Sequence, residues 1–158
     1  MSTVTPFLWF DTEAKEAAEF YTSVFPNSRI TKVTTRPDRS EETVLTVEFD
    51  LDDRRFIALN GGPQYSFTEA FSLSTDCRTQ DEVDRYWATL TEGGEEGPCG
   101  WLKDRYGLSW QVVPEVLPRL LTDPDRDRAD RVFAAMMTMK KIDIAELERA
   151  ADGAAAPR

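Results

Sequence analysis

An internal repeat constrains the fold of this chain more than any other feature. Two stretches run strand, helix, strand, strand, strand, the first over Pro6–Asn60 and the second over Ala70–Gln111. Within the two helices, EAAEFY at Glu16–Tyr21 matches EVDRYW at Glu82–Trp87, with an aromatic pair at the same helical position. Because such a unit cannot bury its sheet face alone, we expect the two copies to pack together. The sequence therefore predicts an α+β fold of two βαβββ modules.

The second repeat closes with a hairpin signature. Gly100–Pro114, GWLKDRYGLSWQVVP, has aromatic and β-branched arms, a polar turn with glycine and a proline stop. We interpret Lys103, Asp104 and Arg105 as a solvated turn with a local ion pair, and the alternative is an anion-receiving rim. We expect the segment Gly93–Gly100 before the hairpin to form a loop or a vestigial strand.

Periodicity and stop signals place the other elements of the repeats. Apolar residues at helical spacing predict a helix from Ala14 to Phe25, with Asp11 and Thr12 as N-cap types. A second helix is expected over Thr79–Thr91. The expected strands are Pro6–Phe10, Ser28–Thr35, Val44–Leu51, Arg54–Asn60 and Phe71–Thr75.

The C-terminal part lies outside the repeat and reads as helical. Asp123 and Pro124 predict a helix start by cap and N1 proline, and Asp143 with Glu146 predicts another. The first of these helices has a predicted apolar stripe of Val132, Phe133, Met136 and Met137.

We expect one domain over residues 1–152. Its parts are module one at about 5–63, module two at about 70–114, a helical extension at about 115–150 and a disordered tail at 153–158.

Composition narrows the classes of function. The 158 residues carry a net charge of −10, which disfavours nucleic acid as a partner because phosphate contacts need clustered lysine and arginine. No apolar run approaches the roughly 20 residues of a membrane span, so we expect a cytoplasmic protein with no membrane partner. The absence of histidine excludes His-dependent catalytic triads and His-based metal sites. Two cysteines are too few for a disulfide framework, and we expect free thiols.

The paired modules resemble the vicinal oxygen chelate superfamily of glyoxalase I and the bleomycin-resistance proteins, and more narrowly its PhnB-like branch. The matching segments are PFLWFD at Pro6–Asp11, AAEFYTSVF at Ala17–Phe25, ALNGGP at Ala58–Pro63, the hairpin at Gly100–Pro114 and KKIDIAELE at Lys140–Glu148. The resemblance implies a curled mixed sheet in each module, a concave cavity and a homodimer. Some relatives are named demethylubiquinone methyltransferases, but the chain lacks the unit of strand, Gly-rich loop and helix that would hold the cofactor of a methyltransferase.

The resemblance also implies where a metal would lie. Enzymes of the superfamily hold one with His and Glu side chains on the first and last strands of each module. The corresponding positions here are Thr5 or Pro6, Glu69 or Ala70, Asn60 and Gln111. One carboxylate with two amides is a poor zinc or iron site, although weak magnesium or calcium binding stays open. We therefore expect a member without metal or other cofactor.

The amides Asn60 and Gln111 are the best candidate pair, because the repeat places them at equivalent strand ends. They either orient a polar ligand, or cap strand ends or bond loop backbone. Aromatic side chains are candidates for pocket walls or core. If Gln111 faces a cavity, Trp110 packs under a helix, because strand side chains alternate. The full set of candidate ligand-binding residues is Trp9, Asn60, Glu69, Cys99, Trp101 and Gln111.

Three hypotheses of function follow. The first is a metal-free small-molecule-binding protein with no assigned reaction. The second is a weakly metal-dependent lyase, isomerase or dioxygenase that uses Glu69 or Asp104. The third is a dimeric scaffold without ligand. The sequence leaves open whether any reaction is catalysed, and the argument from fold alone is weak because one fold hosts many chemistries.

Overall fold

The computed structural model describes residues 3–38 and 42–153. The chain divides into two compact units, Met1–Phe67 and Thr68–Arg158, and each contains one open four-stranded mixed sheet. This architecture confirms the predicted α+β fold of two βαβββ modules followed by helices. Within the described ranges, no helix has the length and apolarity to cross a bilayer. The predicted tail beyond Gly153 lies outside the described residues.

The first unit follows the predicted order closely. Its sheet has the order β1-β4-β3-β2, in which β1 runs parallel to β4 and the other neighbours are antiparallel. Asp52 and Asp53 connect β3 to β4 with φ of 47° and 60°, as a tight hairpin turn requires. The elements are β1 (Phe7–Phe10), α1 (Ala14–Val24), β2 (Arg29–Thr35), β3 (Val44–Leu51) and β4 (Arg54–Asn60).

One face of this sheet packs under α1 and forms the core of the first unit. The Tyr21 ring of α1 is fully buried and lies 6.4 Å from the Phe49 ring, which in turn stacks on Phe56 at 5.7 Å. The period of two along each strand brings Leu8 and Ala58 to the same face. Burying each large apolar side chain contributes about 1.5–3 kcal/mol.

The start of α1 differs from the prediction. Glu13 is the N-cap residue and makes no side-chain cap, so Asp11 and Thr12 are not the caps expected. The Ala14 N–H donates instead to Asn60 Oδ1 at 2.8 Å, and Asn60 Nδ2 donates to the Val44 carbonyl at 3.2 Å. A side chain from β4 therefore satisfies a backbone donor that the local sequence leaves without a partner.

The second unit repeats the arrangement with shorter strands. Its sheet has the order β5-β8-β7-β6, with β5 parallel to β8. The expected vestigial strand is present as a two-residue β6. The elements are β5 (Ser72–Cys77), α2 (Gln80–Thr91), β6 (Glu95–Glu96), β7 (Trp101–Lys103) and β8 (Ser109–Pro114).

The turn between β7 and β8 is organised by a buried carboxylate. Asp104 is only 2% exposed, so the prediction of a solvated turn is wrong for this residue. Its Oδ1 accepts from the Tyr106 N–H at 2.8 Å and the Leu108 N–H at 3.1 Å, and its Oδ2 accepts from Trp110 Nε1 at 2.9 Å. These three donors replace the water that a buried carboxylate loses.

Three helices follow the second sheet: α3 (Val116–Leu121), α4 (Arg126–Met136) and α5 (Ile144–Ala151). The predicted cap of α5 is confirmed, because Asp143 accepts from the Glu146 N–H at 3.0 Å. The start of α4 lies later than predicted, because Asp125 rather than Asp123 is its N-cap. These helices share a core of Leu117, Val132, Ile142, Leu147 and Ala151.

Half of the apolar stripe predicted on α4 is exposed. Val132 is buried and Met136 packs against the helical core, but Phe133 and Met137 are 52% and 56% exposed. A helix turns by about 100° per residue, so the residues next to Val132 and Met136 point away from the core. Phe133 and Met137 therefore lie on the exposed side of α4.

Side chains of α2 hold the segment between α4 and α5. Gln80 Nε2 donates to the Ile142 carbonyl at 3.0 Å, and Gln80 Oε1 accepts from the Ile144 N–H at 2.8 Å. Lys141 pairs with Asp84 at 2.8 Å, and this contact lowers the pKa of the Asp84 carboxyl. The helical extension is thus fixed to the second module by polar as well as apolar contacts.

Gly100 and Gly107 provide a matched test of how closely this segment approaches the sheet. Both have positive φ, 81° and 83°, but a Cβ on Gly100 would lie 2.9 Å from the Val112 carbonyl oxygen and 3.1 Å from Ile142 Cγ1. A Cβ on Gly107 would meet nothing within 4 Å. Gly107→Ala should lower the free energy of unfolding by about 1 kcal/mol from backbone strain, and Gly100→Ala by about 2–4 kcal/mol because it adds the clash.

Urea unfolding of the wild type and the two variants measures both changes. Equal destabilisation by the two substitutions would contradict the close approach at Gly100.

Candidate ligand cavity

The sheet of the second unit has one covered face and one face that lines a cavity. Trp110 and Val112 of β8 and Leu102 of β7 are buried on the covered face, where α2 contributes Trp87 and Leu90. In the register, Trp101 pairs with Gln111 and Lys103 pairs with Ser109, which places these four side chains on the opposite face. Gln111 and Trp110 therefore point to opposite sides of the sheet, and Trp110 lies under the helix.

The cavity has a volume of about 460 Å³, within the range typical of small-molecule sites. Its walls combine an aromatic ring, a thiol, a proline and four charged side chains. The lining residues come from the loop before β5, from β6, from the loop that follows it, and from the β7–β8 hairpin: Glu69, Glu95, Glu96, Gly97, Pro98, Cys99, Trp101, Leu102, Lys103 and Ser109.

Ser109 is the one cavity-lining residue that is almost fully buried and has an unsatisfied side chain among the described residues. It is 1% exposed, and its Oγ has no hydrogen-bond partner. Leaving a buried hydroxyl unpaired costs about 1–3 kcal/mol. Ser109 lies two residues before the predicted Gln111, on the same face of β8. Sequence analysis missed it because a serine in a strand carries no signal of its own.

Lys103 and Glu69 form an ion pair at the edge of the cavity. Lys103 Nζ lies 2.5 Å from Glu69 Oε1. This hydrogen bond lowers the pKa of the Glu69 carboxyl and raises the pKa of the Lys103 ammonium. Glu69 is thus placed in the cavity lining as a charge already paired with a cation.

Gln111 is next to Trp101 but does not reach the cavity lining itself. Its Nε2 donates to Ser72 Oγ at 3.0 Å on the same face of the sheet. Trp101, half-buried, presents the aromatic wall. Trp101 and Gln111, both predicted as site residues, are therefore neighbours, but only Trp101 lines the cavity.

The two cysteines have different environments. Cys99 lines the cavity in a left-handed conformation (φ 57°), its N–H bonded to the Met139 carbonyl at 2.8 Å and its Sγ 3.6 Å from Met137 Sδ. Cys77 is fully buried at the end of β5, where desolvation raises its pKa to about 12. Both cysteines are free thiols.

Trp9 and Asn60 lie in the first unit. Trp9 Nε1 donates to the Gly62 carbonyl at 2.9 Å, and the ring contacts Tyr65 edge-on at 5.0 Å. Asn60 shares the helix-facing side of β4 with Ala58 and caps α1, whereas Gln111 lies on the cavity face of its sheet. The predicted equivalence of the two amides is wrong, because β4 ends at Asn60 while β8 continues beyond Gln111 to Pro114.

Three side chains at the positions where the superfamily holds a metal are each bonded within their own unit. Asn60 binds the start of α1, Gln111 binds Ser72 and Glu69 binds Lys103. No group of three or more His, Cys, Asp or Glu side chains able to hold an ion occurs in residues 3–38 and 42–153. Asp104, the other carboxylate considered for catalysis, is buried under its three donors outside the cavity lining. The donors present therefore do not fit a transition metal.

The fold of two βαβββ modules places the chain in the vicinal oxygen chelate superfamily. The model of a family described as 3-demethylubiquinone-9 3-methyltransferase matches residues 2–113, and the chain belongs to that family. A PhnB protein from Bacillus cereus is similar in structure, with 31% sequence identity and a TM-score of 0.64 over 72% of this chain and 99% of that one. The expected PhnB-like relationship is confirmed.

More distant solved structures share the fold. Protein PA1353 from Pseudomonas aeruginosa has a TM-score of 0.61 at 18% identity, over 73% of this chain and 98% of that one. A variant of the fosfomycin resistance protein FosX from Listeria monocytogenes, solved with Mn(II) and 1S,2S-dihydroxypropylphosphonic acid, has a TM-score of 0.51 at 17% identity, over 72% and 92%. No curated protein matches the sequence.

The difference between the two thiols is directly testable. In the folded protein at pH 8, a neutral alkylating reagent should modify Cys99 and leave Cys77 unmodified, because a thiol with a pKa near 12 is ionised in only about one molecule in 10⁴. Mass spectrometry of the peptides identifies the site. Cys99→Ser should abolish the fast reaction, Cys77→Ala should keep it, and denaturant should expose both thiols. Comparable rates at the two cysteines in the folded state would contradict this assignment.

Proposed function

We propose that this protein binds a small molecule in the cavity of its second module, without a metal. The observation that carries the proposal is the buried, unpartnered hydroxyl of Ser109 in the wall of a cavity of about 460 Å³. Native structures rarely leave such a group unsatisfied, so a ligand atom or ordered water is its natural partner. Trp101 provides an apolar surface beside it.

The alternative of a metal-dependent enzyme has less support. The Mn(II) complex of the FosX variant belongs to a protein that shares only the fold with this chain. The side chains at the corresponding positions here are already bonded to Ala14, Ser72 and Lys103. Methyl transfer, which the family description names, would need a loop that holds the methyl donor, and the sequence contains no Gly-rich strand–loop–helix unit for one.

The proposal includes a homodimer located in the cytoplasm. Phe7 and Phe71 are 59% and 46% exposed, and an interface between two copies of the chain would cover such aromatic side chains. The two free thiols suit a reducing compartment.

A thermal-shift screen of small molecules tests the binding function. Ligands of the folded state should raise the melting temperature in proportion to the logarithm of their concentration, because binding stabilises the native state by mass action. For a cavity ligand, Trp101→Ala should weaken binding about tenfold or more, and Ser109→Ala about fivefold.

Phe133→Ala is the matched control, since it removes a half-exposed aromatic side chain outside the cavity lining. Hits whose affinity is unchanged by both cavity substitutions, or a screen without hits, would argue for the scaffold hypothesis instead.

A further inference from the structure

We propose that the ligand of this cavity is an organic cation, namely an ammonium or guanidinium compound that carries an aromatic or other apolar group. This inference rests on the proposed binding function and specifies its ligand class. It depends on the charge balance of the cavity wall, on the ring of Trp101 and on the hydroxyl of Ser109.

The charge balance favours a cation. Glu69 and Glu95 line the cavity together with a single ammonium, that of Lys103, which leaves one negative charge uncompensated in the wall. Lys103 is not available to receive an anion, because it lies 2.5 Å from Glu69. An anionic ligand would have to displace that carboxylate and then face Glu95.

The carboxylates of β6 are placed differently. Glu96 Oε1 accepts from Trp87 Nε1 at 2.8 Å, so an element of the covered face holds this side chain in position. Glu95 pairs with Lys103 across β6 and β7, which places its side chain on the cavity face. Glu96 pairs with Leu102 instead, so its side chain lies on the covered face, and Glu95 is the β6 carboxylate available to a cation in the cavity.

Trp101 and Ser109 supply the remaining contacts. An indole face attracts a cation through its quadrupole and also packs against apolar groups. The Ser109 hydroxyl has free acceptor capacity for the N–H donor of an ammonium or guanidinium, while the choice of charge comes from Glu95 and Trp101. An acidic rim alone would be an ordinary solvated surface, but the unsatisfied hydroxyl beneath it indicates a ligand.

Three compounds of similar size isolate the charge: phenethylammonium, 2-phenylethanol and 3-phenylpropanoate. Each is titrated against the rate at which iodoacetamide, a neutral reagent, alkylates Cys99 in the full-length protein. Phenethylammonium should protect the thiol at a concentration at least about tenfold below that needed for the other two compounds. The protection should weaken as NaCl is raised.

Two variants that each remove one negative charge are compared, one inside the cavity and one outside it as the control. Glu95→Gln should raise the protecting concentration of phenethylammonium about five- to tenfold. Glu148→Gln removes a carboxylate from the exposed side of α5 and should leave it unchanged. Thermal melts of both variants confirm that they fold.

The outcomes separate this inference from the proposed function. Equal or better protection by the alcohol or the carboxylate overturns the cation preference and leaves the binding function standing. Equal effects of Glu95→Gln and Glu148→Gln also overturn it, as does failure of all three compounds to protect Cys99. The binding function itself is decided by the screen and by the Trp101→Ala and Ser109→Ala variants.

Discussion

The second module depends on one buried carboxylate. Asp104 binds two backbone N–H groups of its own turn and the indole of Trp110 across the hairpin, so a single side chain fixes both the turn and the first side chain that β8 sends under α2. Strand side chains alternate, and fixing Trp110 on the covered face therefore fixes Ser109 on the other. A shift of one residue in this hairpin would exchange the cavity wall with the core.

The helical extension supports the cavity wall from the other end of β7. Cys99 and Gly100 donate their N–H groups to the Met139 and Lys140 carbonyls, and the extension is in turn held by Gln80 of α2. Cys99 has a left-handed backbone that an L-residue adopts at some cost, and it persists because these bonds overdetermine it. The cavity is thus built on rigid supports at both ends of a three-residue strand, as a preformed binding site requires.

The sequence predicts the module order and most strand bounds because the signals there are local: alternation in β3, the aspartate pair after it and the proline that closes β8. The candidate site was only partly predictable. Trp101 is predicted as an aromatic wall, Cys99 as its neighbour and Glu69 from the family resemblance, and all three line the cavity. Asp104 was predicted as a solvated turn residue, which is wrong, and the role of Asn60 was left open, because their partners, the indole of Trp110 and the N–H of Ala14, become known only from tertiary structure. Glu95 and Glu96 lie on a strand too short to show any period.

The central proposal is that this chain binds a small molecule in the cavity of its second module and does so without a metal. A crystal structure of the protein with a ligand from the thermal-shift screen, grown with added Mn²⁺ and without chelator, tests it most directly. The account predicts the ligand against Trp101 with a polar atom within hydrogen-bond distance of Ser109 Oγ, and no ion at Asn60, Glu69 or Gln111. A ligand bound elsewhere, or an Mn²⁺ ion coordinated by those three side chains, would contradict it.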